Sequence, residues 1–176
     1  MIVIVGLGNP GLEYANTRHN AGILLVDQLS VKQLSSYGWR RQYGILVYKT
    51  KDMMLAKSAD YFMNESNQLL RDLAKIITVN PKNLYLAHDD LDLKLGEYKI
   101  QFGKGPKVHN GVDTIEGSLG TKDFWRVRIG VDSRRPENRM AGEQFVLQNF
   151  SRPEKQVLDT VLETAADAIV ETTHSK

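Results

Sequence analysis

Apolar positions fall along this chain in two rhythms, short unbroken runs and longer stretches spaced for one face of a helix. Met1–Val5 is an unbroken run that reads as a buried strand, stopped by the glycines of Gly6-Leu7-Gly8-Asn9-Pro10-Gly11. Asn20–Gln33 has helical spacing, with Ile23, Leu24, Val26 and Leu29 on its inner side. Gly44–Tyr48 and Met53–Lys57 read as a hairpin of two strands around Thr50-Lys51-Asp52. Asn64–Ile77 is again helical, with Leu69, Leu70, Leu73, Ala74 and Ile77 sharing a face, and Asn80-Pro81 ends it. Leu84–Ala87 begins another buried strand, and Lys94–Gln101 and Phe124–Val131 read as two more. A helix is expected near Gly111–Leu119. Pro153–Thr172 is expected to be amphipathic, burying Val157, Leu158, Val161, Leu162, Ala165 and Ile169. Strands that alternate with helices predict one α/β domain over 1–176, with a twisted, mixed, mainly parallel sheet flanked by helices. In such sheets ligands bind beyond the carboxyl ends of the strands. Gly8-Asn9 and His88-Asp89-Asp90 both follow predicted strands directly.

Composition narrows the class. Hydrophobic residues are 41% of the 176 and charged residues 25%, as in ordinary globular proteins, and no run reaches bilayer-spanning length. The absence of cysteine excludes disulfides and thiolate metal sites. With no basic flank or cleavage region at the N-terminus, a cytoplasmic home is expected, with no membrane partner. The net charge of +2 says little, but its distribution is uneven. Lys99, Lys104 and Lys107 precede His109 without an intervening acid, and Arg126, Arg128, Arg134 and Arg135 cluster around Asp132 alone. Asp159, Glu163, Asp167 and Glu171 instead form an acidic stripe on the last helix. The pattern suits an anion on one face and water on another, and equally suits a set of solvated faces.

Four histidines are available for chemistry. His174 reads as a solvated tail residue, and His88, against a buried strand, as a local hydrogen-bonding group. His19 lies in the polar loop Tyr14-Ala15-Asn16-Thr17-Arg18-His19-Asn20 that leads into a helix, where a scaffold can aim a reactive group. A histidine base needs a partner that sets its tautomer and stabilises its charged form, and Asp89 is the candidate. Asp89, Asp90 and Asp92 also admit two other readings, a divalent metal site and a plain polar turn. With no Gly-x-Ser-x-Gly elbow and no cysteine, the substrate of a His19 base is water. Asn9, Asn20, Asn64, Asn67 and Asn110 stand beside glycines, helix starts or the other candidates. An amide offers both donor and acceptor to a peptide backbone, although Asn67 reads as a helix cap. Gly6-Leu7-Gly8-Asn9-Pro10-Gly11 also matches the dinucleotide pattern G-x-G-x-x-G. Its extended loop, and the placement of Asp27 inside a helix, speak against nicotinamide binding.

These residues also fall into motifs. Val5-Gly6-Leu7-Gly8-Asn9-Pro10-Gly11, Glu13-Tyr14, Thr17-Arg18-His19-Asn20 and Tyr61-Phe62-Met63-Asn64 are followed by His88-Asp89-Asp90-Leu91-Asp92-Leu93. Then come His109-Asn110-Gly111, Leu119-Gly120-Thr121 and Arg126-Val127-Arg128-Ile129-Gly130. In this order they resemble the bacterial-type peptidyl-tRNA hydrolase family over nearly the whole chain. The resemblance implies a single α/β domain that hydrolyses the ester between a peptide, or an N-blocked aminoacyl group, and tRNA, without a cofactor or metal. It implies that His19 is the base and Asp89 its orienting partner. It further implies that Asn9 helps distinguish blocked from free α-amino groups, that Tyr14, Phe62, Asn64 and Asn110 bind peptidyl-tRNA, and that Met63 lines the crevice.

Two departures accompany the resemblance. Where the family carries a glycine-rich Gly-Gly-His-Gly-Gly-His-Asn-Gly stretch, this chain has Gly103-Lys104-Gly105-Pro106-Lys107-Val108-His109-Asn110-Gly111, and Pro106 and Val108 narrow the backbone freedom there. Many relatives continue beyond the last helix with a more basic tail, so a grip on tRNA by this C-terminus is not expected. Lys104, Lys107, Arg134 and Arg135 are expected to be exposed near the crevice and to contact tRNA phosphates. A monomer is expected. The rival reading is a non-catalytic RNA-binding protein of the same fold, which would not require Asn9, His19, Asp89 and Asn110 together.

Overall fold

The computed structural model describes residues 1–33, 38–138 and 140–174. Its centre is a seven-stranded sheet in the order β2-β3-β4-β1-β5-β7-β6. The strands are β1 (Ile2–Gly6), β2 (Arg40–Gln42), β3 (Ile45–Lys49), β4 (Met53–Ser58), β5 (Leu84–Lys94), β6 (Tyr98–Phe102) and β7 (Trp125–Asp132). The four central strands, β4, β1, β5 and β7, run parallel. The outer pairs β2/β3, β3/β4 and β6/β7 are antiparallel, so the sheet is mixed with a parallel middle. Parallel central strands must be covered on both faces. Helices α1 (Ala21–Lys32) and α5 (Arg152–His174) cover one face, and α2 (Ser66–Ile76) and α3 (Asn110–Leu119) the other. A short helix α4 (Gly142–Val146) precedes α5.

Strand alternation splits the core into two clusters. Ile2, Ile4, Tyr85 and Ala87 pack with α1 and α5, while Val3, Val5, Leu84 and Leu86 pack with α2 and α3. The expected element types are present, and the differences lie at ends and inner faces. Strand β5 does not stop at Ala87 but runs through the acidic cluster to Lys94, so His88, Asp89 and Asp90 are strand residues and not a following turn. The expected Lys94–Gln101 strand splits, since Lys94 closes β5, a turn follows, and β6 begins at Tyr98. The short edge strand β2 has no apolar run and was not legible. In α1 the innermost line is Gly22, Leu25, Val26 and Leu29, with Ile23 and Leu24 only half-buried beside it. Ala74 is exposed, Ile77 lies just beyond the end of α2, and Val157 on α5 is 44% exposed. The side chain of His174 lies outside the described residues.

Strand β1 lies between β4 and β5, and the helices that follow β1 and β4, α1 and α2, cover opposite faces of the sheet. This opens a crevice at the carboxyl ends of β1 and β5. The loop after β1 does not form a dinucleotide cradle, because α1 begins only at Ala21, far beyond the glycines. It is locked to the start of α1 instead: the Asn9 N–H donates to Asn20 Oδ1 at 2.8 Å, and Asn20 Nδ2 donates to the Asn9 carbonyl at 2.9 Å.

The close approach of α1 to the sheet rests on Gly22, where a Cβ would stand 2.1 Å from the Ala87 carbonyl oxygen and 2.7 Å from that of Leu7. The Ala87 oxygen accepts the Leu7 N–H at 2.9 Å and the Leu7 oxygen accepts the Ile23 N–H at 3.2 Å, so neither can move without disturbing a backbone hydrogen bond. Gly22→Ala is therefore expected to reduce stability by about 1–3 kcal/mol or more. The measurement is urea unfolding, with a lower midpoint at unchanged slope. An unchanged midpoint would show that the helix does not need this contact distance.

Candidate active site

Asp89, near the middle of β5, is 2% exposed on the side of the sheet that faces α1. Two imidazoles meet its carboxylate. His19 Nδ1 lies 2.9 Å from Asp89 Oδ1, and His109 Nε2 lies 2.9 Å from the same oxygen. His109 is the N-cap of α3, and its Nδ1 accepts the Val112 N–H at 3.3 Å. Its proton therefore sits on Nε2 and points at Asp89. His19 correspondingly carries its proton on Nδ1, which leaves Nε2 as the basic nitrogen of a ring that lines the adjoining cavity.

The electrostatics follow from this geometry. Burial pushes the Asp89 carboxyl up, but the charges and hydrogen bonds of His19 and His109 outweigh it and hold the group far below the usual carboxylate range. For His19, burial pulls downward while the Asp89 charge and hydrogen bond pull upward, and the balance raises it above 6.5. His88 points to the other face of β5. It is completely buried, donates from Nδ1 to the Asp89 carbonyl at 2.7 Å, and meets the His109 ring edge-on at 5.0 Å. Burial, then the neighbouring His109, push it down to about 3, so it stays neutral. Its expected role as a local hydrogen-bonding group matches its placement.

Arg18 sets the position of the neighbouring His19. The Arg18 side chain is 5% exposed, donates to the carbonyls of Gln148 at 3.1 Å and Asn149 at 2.9 Å, and pairs with Glu154 at 2.7 Å. Its guanidinium also lies 4.1 Å from the Phe145 ring centre. The turn Arg18–Asn20 is thereby tied to α4 and to the start of α5.

A cavity of about 630 Å³ opens over this group. Of the expected site residues, Asn9, His19, Phe62, Asn64, Asp89 and Asn110 line it. Tyr14 is not in the lining and instead packs edge-on against Phe62, with centres 5.9 Å apart. Met63 does not line the crevice as expected. It is 4% exposed, its sulfur lies where a Gly111 Cβ would go, and its backbone N–H donates to Asn9 Oδ1 at 2.8 Å. That bond fixes the Asn9 amide and leaves Nδ2 without a partner among the described residues. His109 and the rim residues Leu91, Val108, Gly142, Glu143, Val146 and Leu147 complete the lining and were not among the expected site residues. Only the adjacency of His109 to Asn110 could have signalled it.

The acidic run is not a carboxylate metal site. Alternation along β5 sends Asp89 to one face and Asp90 to the other, where Asp90 pairs with Arg128 at 2.7 Å. Asp92 is exposed and accepts the Lys107 N–H at 2.8 Å. Among the described residues the one group with metal-ligating character is His19, Asp89 and His109, whose ligand atoms lie within 4.8 Å of one another. Both histidine nitrogens in it are already committed to the Asp89 oxygen. Lys104, Lys107 and Arg135 are exposed, as expected. Arg134 is not: its side chain is 8% exposed, held by Asp132 at 2.8 Å and by the Met140 carbonyl at 3.0 Å.

A family model described as peptidyl-tRNA hydrolase matches residues 3–176. The chain belongs to the peptidyl-tRNA hydrolase family. It is 42% identical to the peptidyl-tRNA hydrolase of Mycobacterium marinum, over 95% of this chain and 88% of that one. The Mycobacterium leprae enzyme is 41% identical over 94% and 84%. The crystal structure of peptidyl-tRNA hydrolase from Acinetobacter baumannii superposes with a TM-score of 0.79 at 30% identity, covering 95% of this chain and 85% of that chain.

A neutral buried His88 and an ionised buried Asp89 make the fold sensitive to acid. On unfolding, His88 regains its ordinary value near 6.5, so stability present above that value is lost as pH falls toward about 3. Asp89 acts in the same direction at lower pH. The raised His19 acts the other way, but its contribution is fully present below 6.5 and does not vary there. The thermal midpoint should therefore fall between pH 6.5 and pH 4. His88→Asn should flatten that dependence. A midpoint in the wild type that holds steady across the window would mean that His88 is not buried neutral.

Proposed function

We propose that this chain hydrolyses the ester between a peptide and the terminal ribose of tRNA, with His19 as general base and Asp89 as its orienting partner. The carrying observation is the His19–Asp89 pair at 2.9 Å, with the remaining His19 nitrogen on a cavity lined by three side-chain amides. Binding RNA without hydrolysis would not require that pair. In the reaction, a water gives its proton to His19 Nε2 as its oxygen bonds to the ester carbonyl carbon. The carbonyl oxygen takes up the negative charge. When the tetrahedral species collapses, the bond to the ribose oxygen breaks, and that oxygen recovers the proton from His19. Asp89 offsets the charge on the imidazolium throughout. Asn9 Nδ2 and the side chains of Asn64 and Asn110 supply the polar contacts for the peptide link beside the ester, which a free aminoacyl ester lacks. Phe62, steadied by Tyr14, offers an apolar surface at the cavity mouth. Met63 contributes through its backbone, by fixing Asn9. The reaction uses no metal or cofactor in this reading, and the chain acts as a monomer in the cytoplasm, where translation supplies the substrate.

His19→Ala should lower kcat by about 10² to 10⁴ while leaving the fold intact. The free-base form of His19 is the active one and Asp89 raises its pKa, so the acid limb of kcat/KM should lie above pH 6.5. Asp89→Asn removes the upward pull and leaves burial, so the limb should move to lower pH as the plateau falls. Wild-type turnover in His19→Ala, or a limb unmoved in Asp89→Asn, would refute the assignment.

The exposed cations Lys104 and Lys107 lead directly into Val108, His109 and Asn110 of the cavity wall, and Arg135 stands exposed beyond β7. We assign these three, and no longer Arg134, to tRNA phosphates. In binding measurements with the His19→Ala protein, replacing Lys104 and Lys107 together by alanine should flatten the slope of log affinity against log salt by about 1.4–1.8. An unchanged slope would place the tRNA elsewhere.

A further inference from the structure

The cavity is chemically two-sided, and the division follows the sheet. Its amides come from the face covered by α2 and α3: Asn64 precedes α2, Asn110 opens α3, and Asn9 is tied to the backbone of Met63. Its apolar lining comes mainly from the opposite face. Leu91 packs against the core cluster of α1 and α5, and a Cβ at Gly142 of α4 would lie 2.8 Å from Leu91 Cδ1. Val146 and Leu147 close α4, which Arg18 ties to the turn carrying His19. Val108 arrives from the loop before α3 and is 81% exposed, while Leu147 is 50% exposed. Both apolar groups thus stand exposed at the cavity wall.

We propose that Leu91, Val108, Val146 and Leu147 seat the side chain of the amino acid whose ester is cleaved, so that peptidyl-tRNAs ending in an apolar residue are preferred. The proposal rests on the hydrolase reading above and deepens it. At the reacting residue the Cα carries the amide nitrogen and the side chain on different bonds. With that amide turned toward Asn9, Asn64 and Asn110, the side chain is directed away from them, toward the apolar lining. Covering Val108 and Leu147 removes apolar surface from water, and a glycyl ester covers nothing. An acidic side chain would be doubly disfavoured, since it must be desolvated beside the exposed carboxylate of Glu143 in the same lining.

The test measures kcat/KM for N-acetyl-leucyl, N-acetyl-glycyl and N-acetyl-aspartyl esters carried on one and the same tRNA body. Leucyl should exceed glycyl, and aspartyl should be slowest. Val108→Gly should narrow the leucyl-to-glycyl ratio by about fourfold, the effect of re-exposing about one methyl-sized group. That variant also loosens the backbone, so Val108→Thr is the sharper comparison. It keeps the β-branched shape and stiffness but replaces a methyl by a hydroxyl, and should narrow the ratio as well. Leu147→Ala should act in the same direction. Equal rates on all three esters, or a ratio unmoved in both Val108 variants, would overturn the seat while leaving the hydrolase intact. Failure to cleave any blocked ester would overturn the hydrolase reading and the seat with it.

Discussion

A carboxylate removed from water is tolerable only if its charge is met, and in this protein the charge of Asp89 is met by two imidazoles on one oxygen. Three elements must converge for that to happen. Strand β5 carries Asp89 just past the end of its unbroken apolar run Leu84–Ala87, the turn before α1 brings His19, and the N-cap of α3 brings His109. The two histidines are not equivalent. His109 spends its second nitrogen on the Val112 N–H and is a fixed donor. His19 keeps its second nitrogen for the cavity. One carboxylate thus takes a hydrogen bond from each ring and raises the basicity of the ring that faces the cavity.

The surroundings keep that arrangement rigid. Buried Arg18 meets two carbonyls, a carboxylate and an aromatic face, so this neighbour of His19 cannot shift without leaving a desolvated cation unpaired. Asn9 and Asn20 hold each other across the loop, and Met63 fixes the Asn9 side chain. Polar groups with settled partners do not reorganise during a reaction, which suits a site that stabilises developing charge. The apolar lining is tied to the same frame, because α4 is attached to the His19 turn through Arg18.

Local pattern determined much of this protein from the sequence alone. The unbroken run Met1–Val5, the helical spacing of Leu69, Leu70 and Leu73, and the hairpin around Thr50-Lys51-Asp52 are short-range signals, and each element formed where its signal lay. The ordered motifs also named His19, Asp89 and four more of the side chains that line the cavity, Asn9, Phe62, Asn64 and Asn110. What escaped was whatever depended on distant partners. Polar His88, Asp89 and Asp90 do not look like strand, but ladder pairing with β7 carries β5 through them. Arg134 looked exposed until Asp132 folded back onto it, and Met63 looked like crevice because nothing local says that Gly111 leaves room for its sulfur. Which face of β5 each acid takes, that His109 joins His19 on one oxygen, and that Val108 and Leu147 share a wall were decided only by tertiary structure. Hydrophobic period is a property of neighbours along the chain, whereas charge compensation and cavity lining arise between residues that only packing brings together.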